Sequence, residues 1–145
     1  MPAHWELYYH IVWATKGRQE LITPLREGTI FNAIRQQAEE QGGDVLAIGG
    51  MPDHVHVVTT IPPSIAPAEF VRKLKGYSSR VANLDDGEQF EWQTGYGIFT
   101  VSKRNLKMAV EYVEKQKEHH ARHTVIQPLE WTSDQDEGPG GPVWN

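Results

Sequence analysis

Segments of helical and strand period alternate along these 145 residues in the order β-α-β-β-α-β-α. That order predicts an α+β fold: an antiparallel sheet of the ferredoxin-like or RRM-like kind, βαββαβ, followed by one added C-terminal helix. Three observations carry the prediction. Two apolar-periodic stretches, 23–41 and 67–82, have a proline near their first turn, where the ring is tolerated and φ is already helical. Four short runs rich in β-branched and aromatic residues lie around them. The pairs Gly42-Gly43 and Pro62-Pro63 punctuate the joins.

Taken in order, residues 5–15 read as an aromatic-dense strand, followed by the polar turn Lys16-Gly17-Arg18. A helix from about Thr23 to Gln41 opens with Pro24 and is stopped by Gly42-Gly43. Val45 to Gly49 is a short strand, and Asp53 to Ile61 a second one antiparallel to it, ended by Pro62-Pro63. The helix from Pro67 to Ala82 has Phe70, Val71, Leu74, Tyr77 and Val81 on one side. Residues 83–93 form a charged loop, and Tyr96 to Val101 alternates into the fourth strand. From Lys103 to about Arg122 there is no Gly or Pro. Leu106, Ala109, Val110 and Val113 make an apolar stripe there, with Ser102 placed as N-cap. One domain is expected over 1–123. An acidic tail over 124–145, carrying Gly138-Pro139-Gly140-Gly141-Pro142, is expected to be disordered or draped on the surface.

Two features on this framework bear chemistry. In Met51-Pro52-Asp53-His54-Val55-His56-Val57-Val58, strand alternation points His54 and His56 to one face and Val55 and Val57 to the other. Two imidazoles separated by roughly 6.5–7 Å of strand can tilt toward one divalent ion. Alone, the triplet is weak evidence and reads rather as a pair of surface histidines on a half-buried strand. On the last helix Tyr112 and Gln116 are four residues apart, so a phenol and an amide oxygen project on nearly the same face. Alone, that pair reads rather as a tyrosine at the core edge and a solvated amide on an amphipathic helix.

Together these segments resemble the HUH (His-hydrophobe-His) endonuclease superfamily, and within it the small single-tyrosine transposases of IS200-like insertion sequences, with their REP-associated relatives. The resemblance rests on Met51 to His56, Lys73 to Ser78, Phe90 to Ser102, Tyr112 to Gln116 and Glu118 to His120, in order and with comparable gaps. It spans about Trp5 to His123. It implies that His54, His56 and Gln116 are metal ligands and that Tyr112 is the nucleophile, cutting and rejoining single-stranded DNA through a 5′-phosphotyrosine. Mg²⁺ or Mn²⁺ suits such ligands. It also implies a homodimer and hairpin-bearing DNA ends as partners. Alternatives are a domesticated processor of repeated genomic hairpins, a non-catalytic nucleic-acid-binding relative, or a metal phosphodiesterase using activated water.

Composition frames this reading. The chain has no cysteine, which excludes disulfides and thiolate metal sites, and no apolar run near the roughly 20 residues of a membrane span. A cytoplasmic protein without membrane contact is expected. The net charge of −5 opposes a nucleic-acid partner. However, Glu130, Asp134, Asp136 and Glu137 lie in the tail, and without those four, 15 acidic residues face 14 basic ones. Arg72, Lys73, Lys75 and Arg80 form one basic cluster and Lys103, Arg104 and Lys107 another. Each adjoins a candidate site element and is read as contacting phosphates. Asp53 either supports a ligand from behind or shapes the turn. His119 and His120 interact with the helix dipole or approach DNA, and neither displaces Gln116 as a ligand candidate. Tyr8, Tyr9, Tyr77 and Tyr96 are nucleophiles only in principle. Trp92 and Tyr96 could stack on bases, though core or interface packing explains them better, and His10 reads as structural.

Overall fold

The computed structural model describes residues 3–121. The tail, Arg122 and His123 lie outside them. Four strands, β1 (Tyr8–Ala14), β2 (Val45–Met51), β3 (His54–Thr60) and β4 (Gly97–Val101), form one antiparallel sheet in the order β2-β3-β1-β4. Helices α1 (Pro24–Glu40) and α2 (Pro67–Ala82) follow β1 and β3. The α+β expectation and its βαββαβ order hold.

Strand alternation gives the sheet two different faces. Ile11, Trp13, Val55 and Val57 point to one side and meet Ile30, Ile34, Phe70, Val71 and Leu74 of α1 and α2. Each such side chain contributes roughly 1.5–3 kcal/mol when withdrawn from water. On the other face Ala47, Val58, Tyr112 and Val113 form a smaller cluster beneath the C-terminal helices. β3 is buried along its whole length because both faces are covered.

Local chemistry explains the element ends. Thr23 caps α1, its hydroxyl accepting from the Arg26 N–H, and Pro24 fills the first helical position. Pro52 and Asp53 are the two residues of the β2–β3 hairpin, across which Met51 pairs with His54. Residues 83–93, expected as a charged loop, are anchored by Arg26. Its guanidinium is almost wholly buried, pairs with both Asp85 oxygens (2.7 and 2.8 Å) and also donates to the Glu88 carbonyl.

Two expectations need correcting. The continuous helix from Lys103 is a short 3-10 turn over Lys103–Asn105, capped by Ser102, then α3 (Leu106–Glu114) and α4 (Gln116–Ala121). Lys115, at φ −106° and ψ 29°, separates α3 from α4. On α2 the buried positions after Leu74 are Ser78 and Ala82, whereas Tyr77 and Val81 are only partly covered. Ser78 is tolerated there because its hydroxyl donates to the Leu74 carbonyl and accepts from the Trp92 indole.

Candidate active site

The second face of the sheet gathers the chemistry. His54 and His56 project from β3 onto it, 1% and 0% exposed, with ring centroids 5.2 Å apart. Gly49 of β2 lies opposite His56 in the register, and α3 rests directly on that glycine. A Cβ there would sit 1.8 Å from the Val113 carbonyl oxygen. This close approach carries Tyr112 to the histidines, its ring 5.9 Å from that of His56 and 6.2 Å from that of His10. Gln116 opens α4 beside Gly49 and Gly50 and is 1% exposed. Its amide nitrogen donates to the Tyr112 carbonyl at 3.2 Å, which fixes the orientation of the amide. Its Oε1 is buried with no hydrogen-bond partner among the described residues. Lys117 holds α4 down through Glu27 of α1 (2.9 Å) and the Gly50 carbonyl (3.3 Å). The expected shared face of Tyr112 and Gln116 is thus realised across a helix break rather than along one helix.

Each histidine has its Nδ1 engaged. His54 Nδ1 is 2.7 Å from Asp53 Oδ1, so Asp53 backs a histidine as well as shaping the turn. Arg18 completes the corner: its Nε donates to Asp53 Oδ2 at 3.2 Å, and its Nη2 lies 3.3 Å from His54 Nδ1. Burial raises the Asp53 carboxyl, but the hydrogen bonds and charges of His54 and Arg18 outweigh it and hold the group below its ordinary value. Arg18 reaches this place from a backbone with φ +54°, where a side chain costs of order 1–3 kcal/mol. His56 Nδ1 is 2.8 Å from His10 Nε2. Arg18, read from the sequence only as part of a polar turn, and His10, read as structural, both belong to the site. His119 and His120 also converge here. The His119 ring stacks on Tyr112 at 4.7 Å, and that of His120 lies 5.0 Å from His54.

The basic clusters divide. Arg104 and Lys107 flank the start of α3, on the site's side of the sheet, and Lys103 beside them pairs with Glu6 at 2.9 Å. The α2 cluster does not adjoin the site, because α2 packs on the opposite face. Arg72 and Lys73 face Glu69, and Arg80 lies over the Tyr77 ring. Lys75 donates to the Gln93 and Gly95 carbonyls at 2.7 and 2.8 Å, and burial lowers its ammonium to about 8. Trp92 packs edge-on against Trp13 and Phe90, and the Tyr77 hydroxyl donates to Gln36 across α1 and α2.

Among the described residues no three His, Cys, Asp or Glu side chains form a metal-binding group; the expected set has only two such residues, with an amide as the third. Among them also, no helix is long and apolar enough to cross a membrane.

The chain is similar to known proteins over most of its length. Residues 3–116 match the family described as IS200-like transposase. The chain is 31% identical over 119 residues to the ISDra2 transposase TnpA of Deinococcus radiodurans, covering 77% of this chain and 85% of that protein. It is 29% identical over 121 residues to the transposase for insertion sequence element IS200 of Salmonella typhimurium, covering 79% of each. A solved structure from Deinococcus radiodurans R1, described as a transposase, superimposes with a TM-score of 0.65 at 27% identity, over 80% of this chain and 95% of that one. A REP-associated tyrosine transposase bound to a REP hairpin shares the fold, with a TM-score of 0.63 at 13% identity, over 100% of this chain and 99% of that one. Sequence match and fold agree: this chain belongs to the IS200-like transposase family.

Proposed function

We propose that this transposase cuts and rejoins single-stranded DNA through a covalent bond to Tyr112, at a site where His54, His56 and Gln116 hold a divalent cation. The observation that carries the reading is the position of Tyr112, its ring 5.9 Å from that of His56 on the sheet face that bears both histidines.

The buried Gln116 Oε1, which has no hydrogen-bond partner among the described residues, supplies the fit test for the cation. A buried carbonyl oxygen left unsatisfied is costly, and a cation would satisfy it. With both Nδ1 atoms engaged, each imidazole would ligate through Nε2. Two neutral imidazoles and an amide oxygen suit Mg²⁺ or Mn²⁺, with the two nitrogens favouring Mn²⁺. Bound there, the ion would polarise the scissile phosphate and offset charge that develops on its oxygens.

The chain's own residues account for the transfer. The Tyr112 hydroxyl attacks phosphorus as the bond from phosphorus to the 3′ oxygen breaks. The strand's 5′ phosphate becomes bonded to Tyr112, and the departing 3′ oxygen leaves as a hydroxyl, with the phenol's proton balancing the exchange. Attack by another strand's 3′-OH reverses the step, so rejoining conserves the phosphodiester and needs no nucleotide cofactor. His119, stacked on the phenol, restricts its rotation. Hairpin-bearing element ends are the proposed DNA, supported by the hairpin bound to the structural relative. A homodimer is the proposed assembly. Tyr112 already meets its own chain's histidines, so each protomer carries a complete set of these residues.

The test is Tyr112→Phe, which removes one oxygen and keeps the ring. The variant should bind Mn²⁺ and single-stranded oligonucleotides as the parent does, yet give no covalent adduct and no cleavage on a denaturing gel. Cutting that continues without an adduct would transfer the reaction to activated water. An adduct surviving on another tyrosine would overturn the assignment of Tyr112.

A further inference from the structure

His10 lies on β1, one of the two inner strands, 46 residues from His56 in sequence, and is 2% exposed. The register pairs His10 with Val58 and Val12 with His56, so the two histidines are diagonal neighbours on one face of the sheet. Their rings are 5.0 Å apart at 45°, with Nε2 of His10 2.8 Å from Nδ1 of His56. Phe99 of β4 and Tyr112 of α3 stand at 6.1 and 6.2 Å from the His10 ring and enclose it.

Two neutral imidazoles in this contact share one proton, so one donates and the other accepts. If His56 accepted at Nδ1, its own hydrogen would sit on Nε2 and that nitrogen could not ligate. If His56 donates from Nδ1, the Nε2 lone pair is presented on the ring's far side. His54 is arranged in the same sense, with its Nδ1 against the Asp53 carboxylate. A histidine that ligates a metal ordinarily donates its other N–H to such a backing group, and the backing group fixes both tautomer and ring angle.

We infer that His10 is a positioning residue for His56: it accepts the Nδ1 hydrogen of His56 and so holds that ring in the ligating tautomer before any ion arrives. The inference rests on the proposed metal site and goes beyond it, since it assigns a role to a residue outside the proposed ligand set. It also makes the two ligands unequal. His54 is backed by a carboxylate, which adds a negative charge beside it, while His56 is backed by an imidazole, which fixes its direction without adding negative charge.

The test uses the full chain with His10→Leu, which keeps bulk without an acceptor, and His10→Gln, whose side-chain oxygen can accept. In the metal-free parent, ¹⁵N NMR of the His56 ring should show hydrogen on Nδ1 and a lone pair on Nε2. By calorimetry, His10→Leu should weaken Mn²⁺ binding about 10–100-fold, and His10→Gln should recover most of that loss. Hydrogen on Nε2 in the parent, or an unchanged Mn²⁺ affinity in a folded His10→Leu protein, would overturn the positioning role. If His10→Leu does not fold, the His10→Gln titration and the parent spectrum still decide: Gln-variant affinity close to the parent's supports the role, and a loss as large as 100-fold opposes it. A parent that carries the Nδ1 hydrogen but takes up no Mn²⁺ would refute the metal site, and the positioning role with it. A parent that binds Mn²⁺ with the wrong tautomer would refute His10 alone.

Discussion

Gly49→Ala tests the packing that brings Tyr112, the proposed nucleophile, to the histidines. The added Cβ would lie 1.8 Å from the Val113 carbonyl oxygen and 2.9 Å from its carbon. Both are backbone atoms, so no side chain can swing away. An ordinary carbon–oxygen contact is about 3.3–3.6 Å, and restoring it requires α3 to retreat from β2 by roughly 1.5 Å. Tyr112 directly precedes Val113, and Gln116 opens the next helix, so both retreat with it. Overpacking of this kind costs about 1–3 kcal/mol of stability, a loss the main core on the other face should tolerate. Displacing a reacting group by about 1 Å can cost on the order of 100-fold in rate. The expected result is therefore a folded protein, modestly lower in thermal midpoint, whose adduct formation on a single-stranded oligonucleotide is slowed about 100-fold or more. Gly76→Ala is the control. That glycine lies in the interior of α2, with nothing within 4 Å of the added Cβ. Alanine there should stabilise the helix by about 0.5–1 kcal/mol and leave adduct formation unchanged. Parental adduct formation in Gly49→Ala would show that the approach of α3 to Gly49 is not what sets the site.

Three further outcomes follow from particular groups. Because burial lowers Lys75 to about 8, the unfolded chain holds a proton that the folded one gives up between about pH 8 and the ordinary value of 10.5. Folding should thus gain stability relative to Lys75→Met as pH rises through that window, and urea titrations of both proteins at pH 7 and pH 10 check it; an unchanged gap would mean that Lys75 is solvated. Replacing Arg104 and Lys107 with alanine should flatten the salt dependence of single-stranded DNA binding by roughly 0.7 per lost phosphate contact, whereas Lys73→Ala on the opposite face should leave the slope alone; the reverse pattern would move the DNA path to α2. Mixing Tyr112→Phe with His56→Ala subunits should restore no activity, because each tyrosine meets its own chain's histidines; recovery would show that the helices are exchanged between protomers.

The parts of the fold legible in the sequence are those fixed by local pattern. Both ends of α2 follow from Pro67 and the apolar stripe, and β3 from its run of β-branched residues. β2 extends past Gly49 to Met51, beyond its expected end, because two glycines suppress the strand signal in the segment where another backbone has to approach. The break at Lys115 carries no Gly or Pro. It arises where α3 settles on Gly49 and the Gln116 side chain turns back to the Tyr112 carbonyl, and neither contact leaves a trace in helical periodicity. The burial of Ser78 is hidden from the sequence for a related reason. A hydroxyl counts as polar by composition, yet it is buried without penalty once Leu74 and Trp92 satisfy it.

The candidate site divides along the same line. Strand alternation and helical spacing make His54 with His56 and Tyr112 with Gln116 legible as pairs on shared faces, while the roles proposed for them come from the family resemblance. His10 and Arg18 are not, since their roles depend on partners 46 and 35 residues away. Such partners become visible only when the register of β1 against β3 is known. That register aligns Ala14 with His54 and Val12 with His56. It sets His10 beside His56, and the turn after β1 beside Asp53. One antiparallel pairing therefore fixes both backing contacts together. A slip of one residue would turn His10 to the opposite face, removing the acceptor from His56 while moving Ile11 and Trp13 out of the main core. The hydrophobic pattern that stabilises one face of the sheet is thus what holds the histidines of the other face in place.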